Sequence, residues 1–149
     1  VTDHSRVECP LCDSTGGILV ATGPRWRVIR AEDAAFPAYY RVVWSEHLAE
    51  FSSLSTANRA ECMEVVCAVE QTLLRCLRPT KVNLAALGNV VPHLHWHVIA
   101  RFESDSHFPQ PIWGAAQRHV EDPESLLAVS LAELDREVMS DLSGWLLQA

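Results

Sequence analysis

One domain built from five strands, a long helix and a carboxy-terminal helix is the fold the sequence predicts, on three observations. The chain has 149 residues, 48% of them hydrophobic, which suits a single compact unit spanning 1–149 with enough apolar material for a core. Short β-branched and aromatic runs, bounded by Gly and Pro, recur between residues 18 and 44 and again between 81 and 101, as strands do. Two longer stretches carry apolar residues at helical spacing, one between the two groups of strands and one after them.

Taken in order, Gly16-Gly17 introduces a first strand at 18–22, and Gly23-Pro24 turns the chain into a second at 26–31. A loop containing Pro37 leads to a third strand at 39–44, rich in aromatic and β-branched residues. Ser55 is an N-cap candidate for a helix running to about Leu77, with Met63, Val66, Cys67, Leu74 and Leu77 on one stripe and Val65, Val69 and Leu73 beside it. Arg78-Pro79 ends it. A fourth strand follows at 81–87, then a turn at 88–92 and a fifth strand at 94–101. The segment after Phe102, with Pro109, Pro111 and Trp113, reads as an ordered loop. Asp122-Pro123 resembles an N-cap with proline in the first turn, opening a helix to about Met139 whose stripe is Leu127, Leu131, Leu134 and Val138. That stripe would pack on this domain or on a sister subunit.

The chemistry concentrates in Pro92-His93-Leu94-His95-Trp96-His97-Val98-Ile99. Side chains alternate along an extended chain, so His93, His95 and His97 would share one face and Leu94, Trp96 and Val98 the core face. A rise of about 3.3 Å per residue sets neighbouring imidazoles roughly 6.6 Å apart, within reach of one phosphate-sized group or one metal. Histidine is nucleophile, acid or ligand near neutral pH. Two functional readings stay open on the residues alone: several rings holding a metal that activates water, or one ring attacking phosphorus while the others orient and neutralise.

Twelve basic against nineteen acidic side chains give a formal charge of -7 with no basic run, which argues against sequence-independent nucleic-acid binding. A small anionic substrate remains compatible with a locally cationic site. Residues 1–7 hold no apolar stretch fit for a signal peptide, and no 18-residue apolar run follows, so neither secretion nor a membrane is expected. The five cysteines, Cys9, Cys12, Cys62, Cys67 and Cys76, favour free thiols and metal ligation in a reducing cytoplasm over a disulfide framework. Cys9-Pro10-Leu11-Cys12 is a C-x-x-C pair that could supply two ligands to one zinc ion and would need two more.

The stretch from Gly88 through Asn89, Val90, Val91, Pro92, His93, Leu94, His95, Trp96, His97 and Val98 to Ile99 resembles the signature of the histidine-triad (HIT) superfamily, His-φ-His-φ-His-φ-φ with φ apolar. The likeness covers roughly residues 9–101, and the tail Phe108-Pro109-Gln110-Pro111-Ile112-Trp113 is similar to that of a bacterial HIT subgroup. It implies an α+β fold with a five-stranded antiparallel sheet, often joined to a second sheet across a homodimer. It also implies nucleotidyl hydrolysis or transfer at an α-phosphorus, without an organic cofactor. A non-catalytic nucleotide-binding module is the remaining alternative. By motif position His95 would be the nucleophile, His97 would contact phosphate and leaving group, and His93 would orient His95. Asn83, Gly88 and Asn89 suit positions lining the phosphate site, and Glu32 or Asp33 would meet the ribose. Relatives such as galactose-1-phosphate uridylyltransferases hold structural zinc with a C-x-x-C pair, a His after the third strand and the first triad His. Here those are Cys9, Cys12, His47 and His93. Val90 and Val91 stand where many relatives place Ser or Thr.

Overall fold

The computed structural model describes residues 8–145, so the stretch 1–7 lies outside the described residues. A one-turn helix α1 (Pro10–Asp13) precedes β1 (Ile18–Thr22), β2 (Trp26–Arg30) and β3 (Tyr39–Trp44). The long helix α2 (Thr56–Leu77), β4 (Lys81–Ala85), β5 (His95–Arg101) and α3 (Leu131–Asp141) complete the chain. The strands make one antiparallel sheet in the order β1-β2-β3-β5-β4, so the fold is α+β as expected. No helix among the described residues is long and apolar enough to cross a membrane.

Alternation along the strands gives the sheet two working faces. On one, Trp26, Val28, Tyr40, Val42, Trp44, Val98 and Ala100 pack against Val65, Val69 and Leu73 of α2 and against Leu134 and Val138 of α3. The helix boundaries follow local chemistry. Ser55 Oγ accepts from Asn58 N–H at 3.1 Å, and Arg78 takes a left-handed conformation (φ 47) that closes the other end. The buried side of α2 is rotated from the expected stripe. Cys62, Val65, Val66, Val69, Thr72, Leu73 and Leu77 are inside, while Cys67 is exposed and Leu74 is 44% exposed. The row Val65, Val69, Leu73 at i, i+4, i+8 supplies the core, and the branched residues that flanked the expected stripe are its centre.

The carboxy-terminal helix starts later than Asp122-Pro123 suggested. Asp122 makes no capping bond, and Pro123–Leu126 is an isolated 3-10 turn. The cap is Ser130, whose Oγ accepts from Glu133 N–H at 3.2 Å. Ser130 and Glu133 have the spacing of a capping box, a stronger start signal than Asp-Pro. Asp135 then ties α3 to the sheet, accepting from Arg30 Nε at 2.9 Å and from Tyr40 O–H at 2.7 Å. The fourth strand stops at Ala85, not at 87, and the fifth starts at His95, not at 94. The chain between them leaves the sheet and loops over its second face.

That second face is covered at two places. Cys9 and Leu11 pack on Ile29 and Val43, and Phe36 with Ile112 packs on Tyr39 and Ile99. The loop after β5 is pinned by Arg101 and Asp105, 1% and 3% exposed. Asp105 accepts from Arg101 Nε at 2.9 Å and Nη2 at 3.0 Å and from the N–H groups of Phe102, His107 and Phe108. Arg101 also donates to Gln110 O at 2.8 Å. Burial pushes the Asp105 carboxyl up, but Arg101 and the three backbone donors outweigh it and hold it below the usual carboxylate range. Asp105→Asn leaves a buried guanidinium without its counter-charge and is expected to cost about 3 kcal/mol at neutral pH, read by urea unfolding. Because the folded pKa is depressed, the carboxylate's contribution is complete above about pH 4 and is lost as pH falls through the lowered value. The gap between wild type and variant should therefore shrink on acidification, and a gap that stays constant would contradict this role.

Candidate active site and cysteine-histidine cluster

The amino-terminal knuckle begins with Cys9 as the residue before α1 and Pro10 in its first turn. Cys12 N–H and Asp13 N–H both donate to Cys9 O at 3.0 Å, so one turn of helix sets the two sulfurs on the same side. Gly16 leaves the knuckle at φ +82, a left-handed conformation that other residues rarely adopt. Arg27 on β2 then holds the knuckle down, donating to Leu11 O at 2.8 Å, Ser14 O at 3.1 Å and Thr15 O at 3.1 Å.

His93 lies just ahead of β5, buried at 1% exposure, and its ring turns toward this knuckle. Nε2 sits 2.6 Å from Trp44 O. A carbonyl only accepts, so Nε2 carries the proton and Nδ1 presents a lone pair. That lone pair faces Cys9 Sγ and Cys12 Sγ, each at 3.4 Å. His47, after β3, brings its Nδ1 to 3.3 Å from Cys12 Sγ. The four donor atoms lie within 4.8 Å of one another. Tetrahedral zinc with bonds of about 2.0–2.3 Å separates neighbouring ligand atoms by about 3.3–3.8 Å, and the three pairs above match that edge length. The carbonyl behind His93 supplies the outer bond that fixes a ligating imidazole's tautomer.

His95 and His97 stand on β5, on the second face of the sheet. His95 Nδ1 is 2.6 Å from His93 O, so Nδ1–H donates and Nε2 is left unprotonated. His97 Nδ1 is 2.6 Å from Tyr39 Oη, which accepts in turn from Arg41 Nη2 at 3.2 Å. Where the phenol donates its proton to Nδ1, the proton of His97 resides on Nε2. The two rings are edge to face, 4.8 Å between centroids. Burial lowers the pKa of both, and Arg41 adds to the effect. The backbone bond to His93 O partly offsets it at His95, while His97 falls to about 4, helped by His95. Both rings are neutral at pH 7.

A cavity of about 550 Å³ opens before them. Pro10 and Leu11 of the knuckle, the 87–91 loop, Tyr39, Arg41 and Trp113 enclose it. Trp113 presses its ring edgewise on His97 at 5.0 Å. Of the positions singled out in the sequence, Gly88 and Asn89 border this cavity together with His95 and His97, and Gly88 adopts φ +69 to make the turn. Asn83 does not border it; paired with Ile99 across β4 and β5, its Oδ1 accepts from Arg101 Nη1 at 2.8 Å. Glu32 and Asp33 border a separate recess with Arg30 and Glu124, where Asp33 caps Ala35 N–H at 3.0 Å. The three triad imidazoles do not converge. Among the described residues the converging metal-type set is Cys9, Cys12, His47 and His93. Tyr39, Arg41 and Trp113 were not singled out in the sequence, although an arginine inside the apolar run Tyr39-Tyr40-Arg41-Val42-Val43-Trp44 is a legible irregularity.

Comparison with known proteins agrees with this architecture. The family model described as HIT domain matches residues 17–104, and the chain belongs to that family. Among solved structures, a histidine triad protein from Bradyrhizobium japonicum is 29% identical over 89% of this chain and 92% of its own, with a TM-score of 0.66. A histidine triad (HIT) protein from Sinorhizobium meliloti is 26% identical over 86% of this chain and 91% of its own, TM-score 0.69. The same fold occurs in a Zn-bound histidine triad family protein from Mycobacterium smegmatis, 17% identical over 92% of this chain and 96% of its own, TM-score 0.64. No curated protein matches the chain.

Proposed function

We propose that this protein is a nucleotide hydrolase or nucleotidyltransferase that acts at an α-phosphorus through a covalent nucleotidyl intermediate on His95 Nε2. The observation that carries this reading is the 2.6 Å bond from His95 Nδ1 to His93 O, which leaves the other nitrogen as a lone pair in the cavity. In the first step Nε2 bonds to phosphorus and the leaving group departs with the electron pair of the broken bond. Water or another acceptor then attacks phosphorus from the vacated side, the phosphorus–nitrogen bond breaks, the imidazole recovers its lone pair, and the attacking oxygen releases its proton to solvent. His97 Nε2–H, neutral and aimed across the same space, donates to a phosphoryl oxygen or to the leaving group. The Gly88-Asn89 turn supplies further donors to the phosphate. His93 acts as a positioning residue through its carbonyl. Asn83 contributes through Arg101, and Glu32 and Asp33 stay outside the phosphate-binding set.

Cys9, Cys12, His47 and His93 fit a structural zinc ion, which when bound would tie the knuckle to the start of β5 with no open coordination position. A reducing cytoplasm would keep those thiols available. The active form is read as a homodimer with sheets joined along β4, where Leu84 is 40% exposed.

His95→Ala is expected to lower turnover by about 10³-fold or more, in line with loss of a covalent nucleophile, while leaving the thermal midpoint within a few degrees. Acid-free quench of wild type with an α-labelled nucleotide should trap label on His95. Label on another residue, or turnover surviving in His95→Ala, would defeat the assignment. Cys9→Ser should remove bound zinc and lower stability by several kcal/mol. A metal-free Cys9→Ser protein as stable as wild type would show that the cluster holds no structural ion.

A further inference from the structure

Arg41 has surroundings that the chemistry above does not use. It stands directly across from His97 in the β3–β5 register. Its guanidinium lies over the Tyr39 ring, 4.9 Å from the centroid, and makes one donated bond, from Nη2 to Tyr39 Oη. Nε is buried with no partner. Among the described residues the ion pairs belong to Arg25, Arg30, Arg75 and Arg101, and Arg41 faces no carboxylate. The other arginines on this face are engaged, Arg27 by knuckle carbonyls and Arg101 by Asp105, Asn83 and Gln110 O.

A half-buried cation with unmet donors is costly unless an acceptor arrives with a ligand. In a chain of formal charge -7, a cavity whose lining holds Arg41 in no ion pair and, among the described residues, no acidic side chain is electrostatically selected for anions. The Tyr39 ring beneath the guanidinium fixes its plane. The donor edge that remains suits a phosphate or carboxylate, which a guanidinium meets with two parallel bonds. Arg41 is also displaced from the attacking imidazole: it pairs across the strands with His97, whereas His95 pairs with Val43, so it lies one strand over, about 4.8 Å, and two residues along from the nucleophile. That offset fits a group next to the transferred phosphate better than the transferred phosphate itself.

We propose that Arg41 binds a second anionic group of the substrate, adjacent to the phosphoryl group that His95 attacks. The protein would then select phosphoanhydride-linked compounds over those in which the transferred phosphate carries only a neutral amine or alcohol. This specificity rests on the nucleotidyl-transfer reading, whereas the anion site itself does not.

Titration calorimetry of the full chain with inorganic pyrophosphate and with orthophosphate separates the two. Wild type should bind pyrophosphate more tightly than orthophosphate. Arg41→Gln should weaken pyrophosphate about 10- to 100-fold, the range for a lost charge-assisted bond, with orthophosphate changing less than about 3-fold. Arg41→Lys, which keeps the charge but not the fork, should fall between, and it also serves if the Gln variant folds poorly. In kinetics, Arg41→Gln should lower kcat/KM on a phosphoanhydride-linked nucleotide about 10-fold or more beyond its effect on a nucleoside phosphoramidate, the loss common to both reporting the bond from Arg41 to Tyr39 beside His97. Equal losses on both probes, or none on either, would overturn the proposal. A selective loss of pyrophosphate binding in a protein that turns over neither substrate and forms no His95 adduct would keep the anion site and remove the nucleotidyl-transfer reading.

Discussion

Residue 93 is the junction on which the remainder of the site depends. Its ring nitrogen Nε2 is held by Trp44 O at 2.6 Å, its Nδ1 faces both cysteine sulfurs at 3.4 Å, and its carbonyl holds His95 Nδ1 at 2.6 Å. Each bond limits the next. The Trp44 carbonyl sets the His93 tautomer, the tautomer aims a lone pair at the knuckle, and a chain segment fixed at that point directs its own carbonyl at the neighbouring imidazole. The cysteine-histidine cluster and the proposed nucleophile are thereby two ends of one rigid element, with 1% exposure at its centre.

The sheet divides the remaining labour between its faces. One is closed by α2 and α3 and carries the main core; the other is left partly open between the knuckle and the loop that Arg101 and Asp105 pin. Burial at that opening does two things together. It keeps His95 and His97 neutral, so that one can offer a lone pair and the other a proton, and it strengthens the field of an uncompensated Arg41. An acidic protein can in this way present a cationic recess to a small anion.

Much of the fold is legible in the sequence because strands with one chemical face and one apolar face write their period into it. The Ser55 cap and the Arg78-Pro79 stop are local signals and stand where expected; the triad strand starts one residue later, with His93 ahead of it. The face of α2 was harder to read because apolar residues flank the true stripe, and only packing against β3 and β5 selects Val65, Val69 and Leu73 over Leu74 and Cys67. The α3 start went to Asp122-Pro123 because proline is a loud signal, although Ser130 with Glu133 satisfies more backbone donors. His47 and the C-x-x-C pair are 35 or more residues from their partners, and family likeness rather than spacing brought them together. Tyr39, Arg41 and Trp113 meet the histidines only through strand register and through an aperiodic loop, neither of which a linear pattern encodes.

Nitrogen-15 NMR of the histidine-labelled full chain at neutral pH tests the central relation most directly, since it reports which ring nitrogen carries each proton. The expected spectrum has His95 protonated at Nδ1 with a pyridine-type Nε2, and His93 protonated at Nε2. A proton on His95 Nε2 would mean that the His93 carbonyl does not prepare this imidazole for attack, and the mechanism built on that bond would be wrong.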